Sequence, residues 1–174
     1  MKEYVNPWDY APHILKIIND GILLTTKADG QVDTMVIGWG TMGVQWKKPI
    51  FMVFVRQSRH TKALLDKNPE FTVNIPLDKI DKEILRVAGT MSGRDVDKVK
   101  ELGLTLVPGE TVSVPAIKEL PLTIECKVIY KQDQDLSMLE ESCRTRCYKP
   151  GTKDENDFHT AYYGLITGAY ILKD

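Results

Sequence analysis

The stretch GWGTMGVQWKKPIFMVFV, residues 38–55, decides between two folds. Its first six residues, Gly38-Trp39-Gly40-Thr41-Met42-Gly43, carry the G-x-G-x-x-G spacing of a dinucleotide fingerprint. That fingerprint works only where its glycines lead into a helix whose N-terminus faces a pyrophosphate. Here they lead through the turn signal Lys47-Lys48-Pro49 into residues 50–55, a continuously apolar run that reads as a strand buried on both faces at the centre of its sheet. The doubly wound fold is therefore excluded. Glycines within a strand mark either an irregular strand or a place where a ligand approaches the backbone, and beside Trp39 and Met42 a flat ligand lying along exposed amides fits as well as the bland reading.

Working outward, ILLTTK, Asp29-Gly30 and QVDTMVIGW form two β-rich runs around a strong hairpin signal, and residues 11–20 ahead of them have apolar positions at helical spacing, with Asp9 as candidate cap and Gly21 as terminator. Downstream, residues 58–67 read as a helix, 71–75 as a strand closed by Pro76, and 78–87 and 94–102 as helices. Ser92 and Asp95 stand in a capping-box arrangement ahead of the second of these, and Gly103 follows it. Residues 120–130 alternate as a half-buried strand, and 161–172 form the last strand. Between them, 131–157 is a polar, loop-rich excursion with one helix around 139–147 and no strand. Strands joined by hairpins and helical insertions, without a β-α-β rhythm, predict a mainly β, antiparallel barrel. One domain over residues 1–174 is expected.

The 174 residues are 43% hydrophobic and 27% charged, the balance of a globular chain with one core. Lys and Arg total 23 against 24 Asp and Glu, a net charge of −1, so no overall field draws the protein to nucleic acid or an anionic membrane. No apolar run approaches the ~20 residues a spanning helix needs. The polar N-terminus lacks a signal-peptide core and the three cysteines make an odd count, which together point to the cytoplasm. Cys143 and Cys147, four apart with His159 downstream, are a poor zinc signature and read as ordinary thiols. No nucleophile elbow, H-E-x-x-H or Walker loop is present.

Arg56-Gln57-Ser58-Arg59-His60-Thr61-Lys62 carries more chemistry. It follows the apolar strand directly, and Ser58 is placed to cap the next helix, so that backbone N–H groups, the Ser58 and Thr61 hydroxyls and the forks of Arg56 and Arg59 converge on one anion, as a phosphate monoester requires. The bland alternative is a solvated, capped helix start. His159, before Thr160 and the Tyr162-Tyr163 pair, is either a surface histidine at a strand entrance or a proton donor beside a ligand.

Taken together, DTMVIGWGTMGVQWKKPIFMVFVRQSRHTKALLDKNPEFTVNIP (33–76), AGTMSGRDVDKVKELGLT (88–105) and FHTAYYGLITGAYIL (158–172) resemble the flavin reductase-like family, especially its flavoredoxin-like members. The resemblance implies an FMN-binding split β-barrel, homodimeric, with one FMN per subunit near the dimer interface and reduction of that flavin by NADH or NADPH. By position, the ring-contacting strand falls on Trp39, Gly40, Thr41, Met42 and Gly43, and the phosphate turn on Arg56, Ser58, Arg59 and Thr61. Lys98 is a further candidate for a cofactor contact, and His159 for the catalytic proton donor. Two classes stay open: an NAD(P)H-dependent reductase of flavin or a small-molecule acceptor, and an electron carrier serving a redox protein without binding a nicotinamide.

Overall fold

A computed structural model of the chain describes residues 1–173. Strand β1 (Lys2–Tyr4) precedes helix α1 (Pro7–Ile17), which Asn6 caps by accepting from the Trp8 N–H, and a short 3₁₀ turn brings the chain to Gly21. The helix thus starts earlier than expected, with Asp9 inside its first turn. Strands β2 (Ile22–Ala28) and β3 (Gln31–Ile37) follow, joined by Asp29 and Gly30 at φ of 51° and 75°, the left-handed pair that the Asp-Gly signal predicts.

Strands β4 (Gly40–Gln45) and β5 (Lys48–Arg56) make a second hairpin. Its turn, Trp46 and Lys47, adopts φ of 51° and 57° without a glycine. Such a backbone costs about 1 kcal/mol or more per residue, and the Trp46 ring offsets this by packing on Tyr130 and Tyr163, with centroids 5.6 Å from each. Helix α2 (His60–Lys67), strand β6 (Glu70–Ile75), helices α3 (Lys82–Thr90) and α4 (Lys98–Glu101), the short pair β7 (Leu106–Val107) and β8 (Ala116–Ile117), strand β9 (Leu122–Asp133), helix α5 (Glu141–Cys147) and strand β10 (His159–Leu172) complete the chain.

The main sheet is antiparallel in the order β3-β2-β6-β9-β10-β5-β4, with β1 added beside β10. It does not close, so the expected barrel is an open, curled sheet with β3 and β4 as its ends. The curl is visible in the core: Met35 and Ile37 from one end pack in the same buried cluster as Phe51, Val53 and Val55 near the other, with Ile14 of α1 beneath them. Strand β5 is next to the edge rather than central. Its inner face is fully buried, whereas Met52 and Phe54 on the outer face are only half-buried, because nothing within the chain covers them completely. An all-apolar run cannot distinguish burial by the chain's own layers from burial by something added later.

Two helices and one strand also differ in their boundaries. The helix expected over 94–102 shrinks to α4, capped by Asp97, while Ser92 closes a turn instead of a capping box. Helix α3 is capped by Asp81, and β9 takes the first residues of the polar excursion. No helix among the described residues is long and apolar enough to cross a membrane.

Candidate functional site

The site is built where β5 ends and β10 begins. These strands pair antiparallel with Arg56 opposite His159, which puts both side chains on the sheet's outer face at its rim. The Arg56 guanidinium donates from Nη2 to the Cys147 carbonyl at 2.9 Å and lies 5.2 Å from the Tyr148 ring centre. Its Nη1 is 3.7 Å from a carboxylate oxygen of Asp154 and 4.0 Å from one of Asp157. After Arg56 the chain turns, and α2 starts at His60 with Arg59 at its cap position, offering no side-chain cap. Ser58 therefore does not cap the helix. Its N–H and its Oγ both donate to the carboxylate of Asp157, at 2.8 and 2.6 Å. Arg56, Ser58 and Arg59, with Lys153, Asp154 and Asp157 from the excursion, enclose a cavity of about 420 Å³.

A second cavity of about 180 Å³ shares Arg56 and Arg59 as its wall and is otherwise bounded by Val36, Ile37, Trp39, Phe54 and neighbours, with His159. Trp39 and His159 are in ring contact, centroids 4.7 Å apart and planes 40° from parallel. His159 is only 7% exposed and its Nδ1 is hydrogen-bonded to the Tyr148 hydroxyl, which also reaches Gln134. Burial, aided by the Arg56 charge and opposed by Asp157, pulls the imidazole down to about 4. It is thus neutral at pH 7 and is not a surface histidine: what it offers a ligand is a hydrogen bond and a ring face.

Six of the expected site residues lie elsewhere. Thr61 is 1% exposed and donates from Oγ1 to Asp33 at 2.9 Å. Lys98 is equally sequestered, its Nζ 3.0 Å from the other Asp33 oxygen. Gly93 closes over this knot, and a Cβ there would lie 2.5 Å from the Asp33 carboxylate. Neither Thr61 nor Lys98 lines either cavity. Of the strand from 39 to 43, only Trp39 faces the cleft. Gly40 is small because a Cβ would strike Ile18 at 2.6 Å, Met42 packs on the core, and Thr41 and Gly43 lie further along β4. A larger cavity, about 950 Å³ beside Asp33 and the β2–β3 turn, is walled by mixed charges such as Asp29, Arg94, Asp95 and Lys100 and has no aromatic lining residue, so the smaller paired cleft is the better site.

The profile of the flavin reductase like domain matches residues 18–171. The chain belongs to the flavin reductase-like family. Within it, the flavoredoxin of Methanosarcina acetivorans is 27% identical, with a TM-score of 0.65 covering 88% of this chain and 68% of that one. The flavoredoxin of Desulfovibrio vulgaris (Miyazaki F) is 25% identical, with the same TM-score, covering 88% and 69%. An uncharacterised protein of Archaeoglobus fulgidus is 33% identical over 97 residues, 56% of this chain and 54% of its own, so the match spans little more than half of that relative. In this flavin reductase-like chain four residues that the motifs did not single out shape this region: Tyr148, Asp154 and Asp157 at the cleft, and Asp33, which holds Thr61 and Lys98 away from it. Asp33 had a signal, since alternation puts it in register with Met35 and Ile37, where a carboxylate needs a partner. The other three had none, being brought to the cleft by the path of the excursion.

Proposed function

We propose that this protein binds FMN in the paired cleft and passes electrons from NADH or NADPH through it to free flavin or another small-molecule acceptor. The observation carrying this reading is the convergence of Arg56, Arg59 and the Ser58 N–H and hydroxyl on one cavity that shares a wall with an aromatic one. A phosphate dianion suits the first set of donors, and a flat conjugated ring suits Trp39, Phe54 and His159. The residues fit the cofactor, which when bound supplies the two-electron chemistry. Arg56 and Arg59 would hold the phosphate, Trp39 would stack at the ring's edge, and neutral His159, oriented by Tyr148, would hydrogen-bond a polar ring atom.

The outer face of β5 and β10 supports homodimerisation around this cofactor. Met52, Phe54, Ala161 and Tyr163 line a hollow of about 410 Å³ with Leu136 and Met138, the latter 83% exposed, and with the polar residues Gln132, Asp133, Gln134 and Asp135. Phe54 belongs to both this hollow and the ring cavity, so a second copy seated there would cover the flavin. A dimer in analytical ultracentrifugation that melts higher with FMN is expected, whereas a flavin-saturated monomer would refute the seam.

The test of the main reading is a fluorescence titration with FMN and riboflavin, followed by anaerobic mixing of the loaded protein with NADH or NADPH. Preference for FMN and rapid bleaching are expected. The two flavoredoxin neighbours favour one other reading, an electron carrier for a redox protein, which would leave the flavin absorbance unchanged by either nicotinamide.

A further inference from the structure

We propose that Asp157 is a built-in competitor for the phosphate at the Ser58 turn, and that it keeps the flavin exchangeable rather than permanently held. The inference rests on the FMN reading above and goes beyond it. Ser58 has one N–H and one hydroxyl hydrogen to give, and Asp157 takes both on its two oxygens. A phosphate cannot accept either while the carboxylate is in place, so at Ser58 the two anions exclude one another by donor count. Charge acts in the same sense. Asp154 and Asp157 lie within 4.0 Å of the Arg56 guanidinium and offset the field that would draw in a dianion.

The segment carrying Asp157 is built to leave as a unit. At one end it is anchored by Tyr148, 2% exposed and hydrogen-bonded to His159, and at the other by the Phe158 carbonyl, which accepts from the Gln57 N–H at 3.1 Å. Between these anchors, residues 149–156 are largely exposed and bonded mainly to themselves: the Thr152 hydroxyl donates to the Lys149 carbonyl and the Gly151 N–H to Glu155. Displacing the strap therefore breaks the Ser58–Asp157 bonds, the weak contact of Arg56 with the Asp157 carbonyl at 3.4 Å and the Arg56 ion pairs, while its internal bonds travel with it. A phosphate ester brings more charge than the carboxylate it replaces and can complete the exchange. The uncharged chain end of riboflavin cannot.

The test compares wild type with Asp157→Asn, measuring FMN and riboflavin affinities by flavin fluorescence and FMN release by dilution. The variant should bind FMN at least tenfold more tightly and release it correspondingly more slowly, with riboflavin affinity changed less than threefold. A second measurement needs no variant: trypsin cleavage after Lys153 in wild type should accelerate when FMN is added and stay unchanged with riboflavin. Wild type that binds FMN, with Asp157→Asn binding it equally or more weakly, would overturn the competitor and leave the FMN reading intact. Protection of Lys153 by FMN would do the same. Failure of both proteins to bind either flavin would overturn the FMN reading and the competitor with it.

Discussion

Two aspartates flank the turn that follows β5, one on its inner side and one on its outer side, and each takes a hydroxyl from the same short run of sequence. Thr61 donates to Asp33 and Ser58 to Asp157. The cations differ in how they are held. Lys98 meets Asp33 at 3.0 Å with both side chains at most 4% exposed, whereas Arg56 stands 4.0 Å from Asp157 at the wall of an open cavity. The inner pair is sequestered, with Thr61 completing it, and acts as structure. The outer pair consists of groups that a ligand can take over one by one. The lesson is that a motif of hydroxyls and cations does not itself define a binding site: the side of the sheet on which each side chain emerges decides which donors are spent and which are offered.

The sharpest way to break this comparison is Lys98→Met. Removing one partner from a buried ion pair leaves a stranded charge and costs about 3–5 kcal/mol. Urea unfolding should show a loss in that range, together with a secondary loss of flavin binding from the loosened turn. A loss below about 1 kcal/mol, the scale of an exposed pair, would put Lys98 on the same footing as Arg56 and erase the distinction.

Next in size is an acid effect centred on His159. Its folded-state value of about 4 lies below the ordinary 6.5, so the unfolded chain takes up a proton that the folded chain refuses. Stability on this account is undiminished above pH 6.5, falls as the pH drops towards 4 and levels off below, a change of at most about 3 kcal/mol. Denaturant midpoints for wild type and His159→Gln should diverge over that window and run parallel above it. A slope of equal size in the variant over that window would assign the acid sensitivity to other groups, but not to Asp66: its burial is outweighed by Lys131, Lys62 and Tyr162, which hold it at about 2, so its contribution is lost only below about pH 4.

How much of this was legible beforehand follows from range. The hairpin at Asp29-Gly30, the strands around it and the apolar run of β5 depend on neighbours a few residues away, and the pattern carried them. The position of β5 beside an edge depends on β10 pairing with it across a hundred residues, which no local period encodes. The geometry of the turn after β5 was half legible. Arg56, Ser58 and Arg59 do line one cavity, but Thr61 and Lys98 point to the other side, because α2 begins at His60 and turns the next hydroxyl inward. Asp157 lay outside reach, since only the fold brings the end of the excursion to Ser58.

Arg56→Ala tests the outer half of the comparison alone. The loss of a charged hydrogen-bonding partner is worth about 1.5–3 kcal/mol, which corresponds to FMN binding weakened about ten- to a hundredfold. Arg56 contributes less than this net of what it gives Asp154 and Asp157, but a dianion gains more from the guanidinium than either carboxylate does, so the sign is fixed. Riboflavin affinity should hardly move, and unfolding should shift far less than in Lys98→Met. Equal weakening of both flavins would mean that Arg56 shapes the ring cavity and not the phosphate seat.

The smallest expected effect is the most discriminating. In Ser58→Ala the hydroxyl is lost, yet its bond is lost from both competing states: Asp157 no longer accepts it when the strap is down, and the phosphate no longer accepts it when the strap is displaced. The two losses nearly cancel, so FMN affinity should change by no more than about threefold, although a hydrogen bond to a charged acceptor taken singly is worth about 1.5–3 kcal/mol. In the background of Asp157→Asn the cancellation weakens, because the uncharged amide gains less from the hydroxyl than a carboxylate does, and the same substitution should then cost FMN binding about tenfold. A double-mutant cycle over these two positions, read as FMN affinity, therefore measures the competition itself: a coupling near zero would mean that Asp157 and the phosphate never contend for the same hydroxyl.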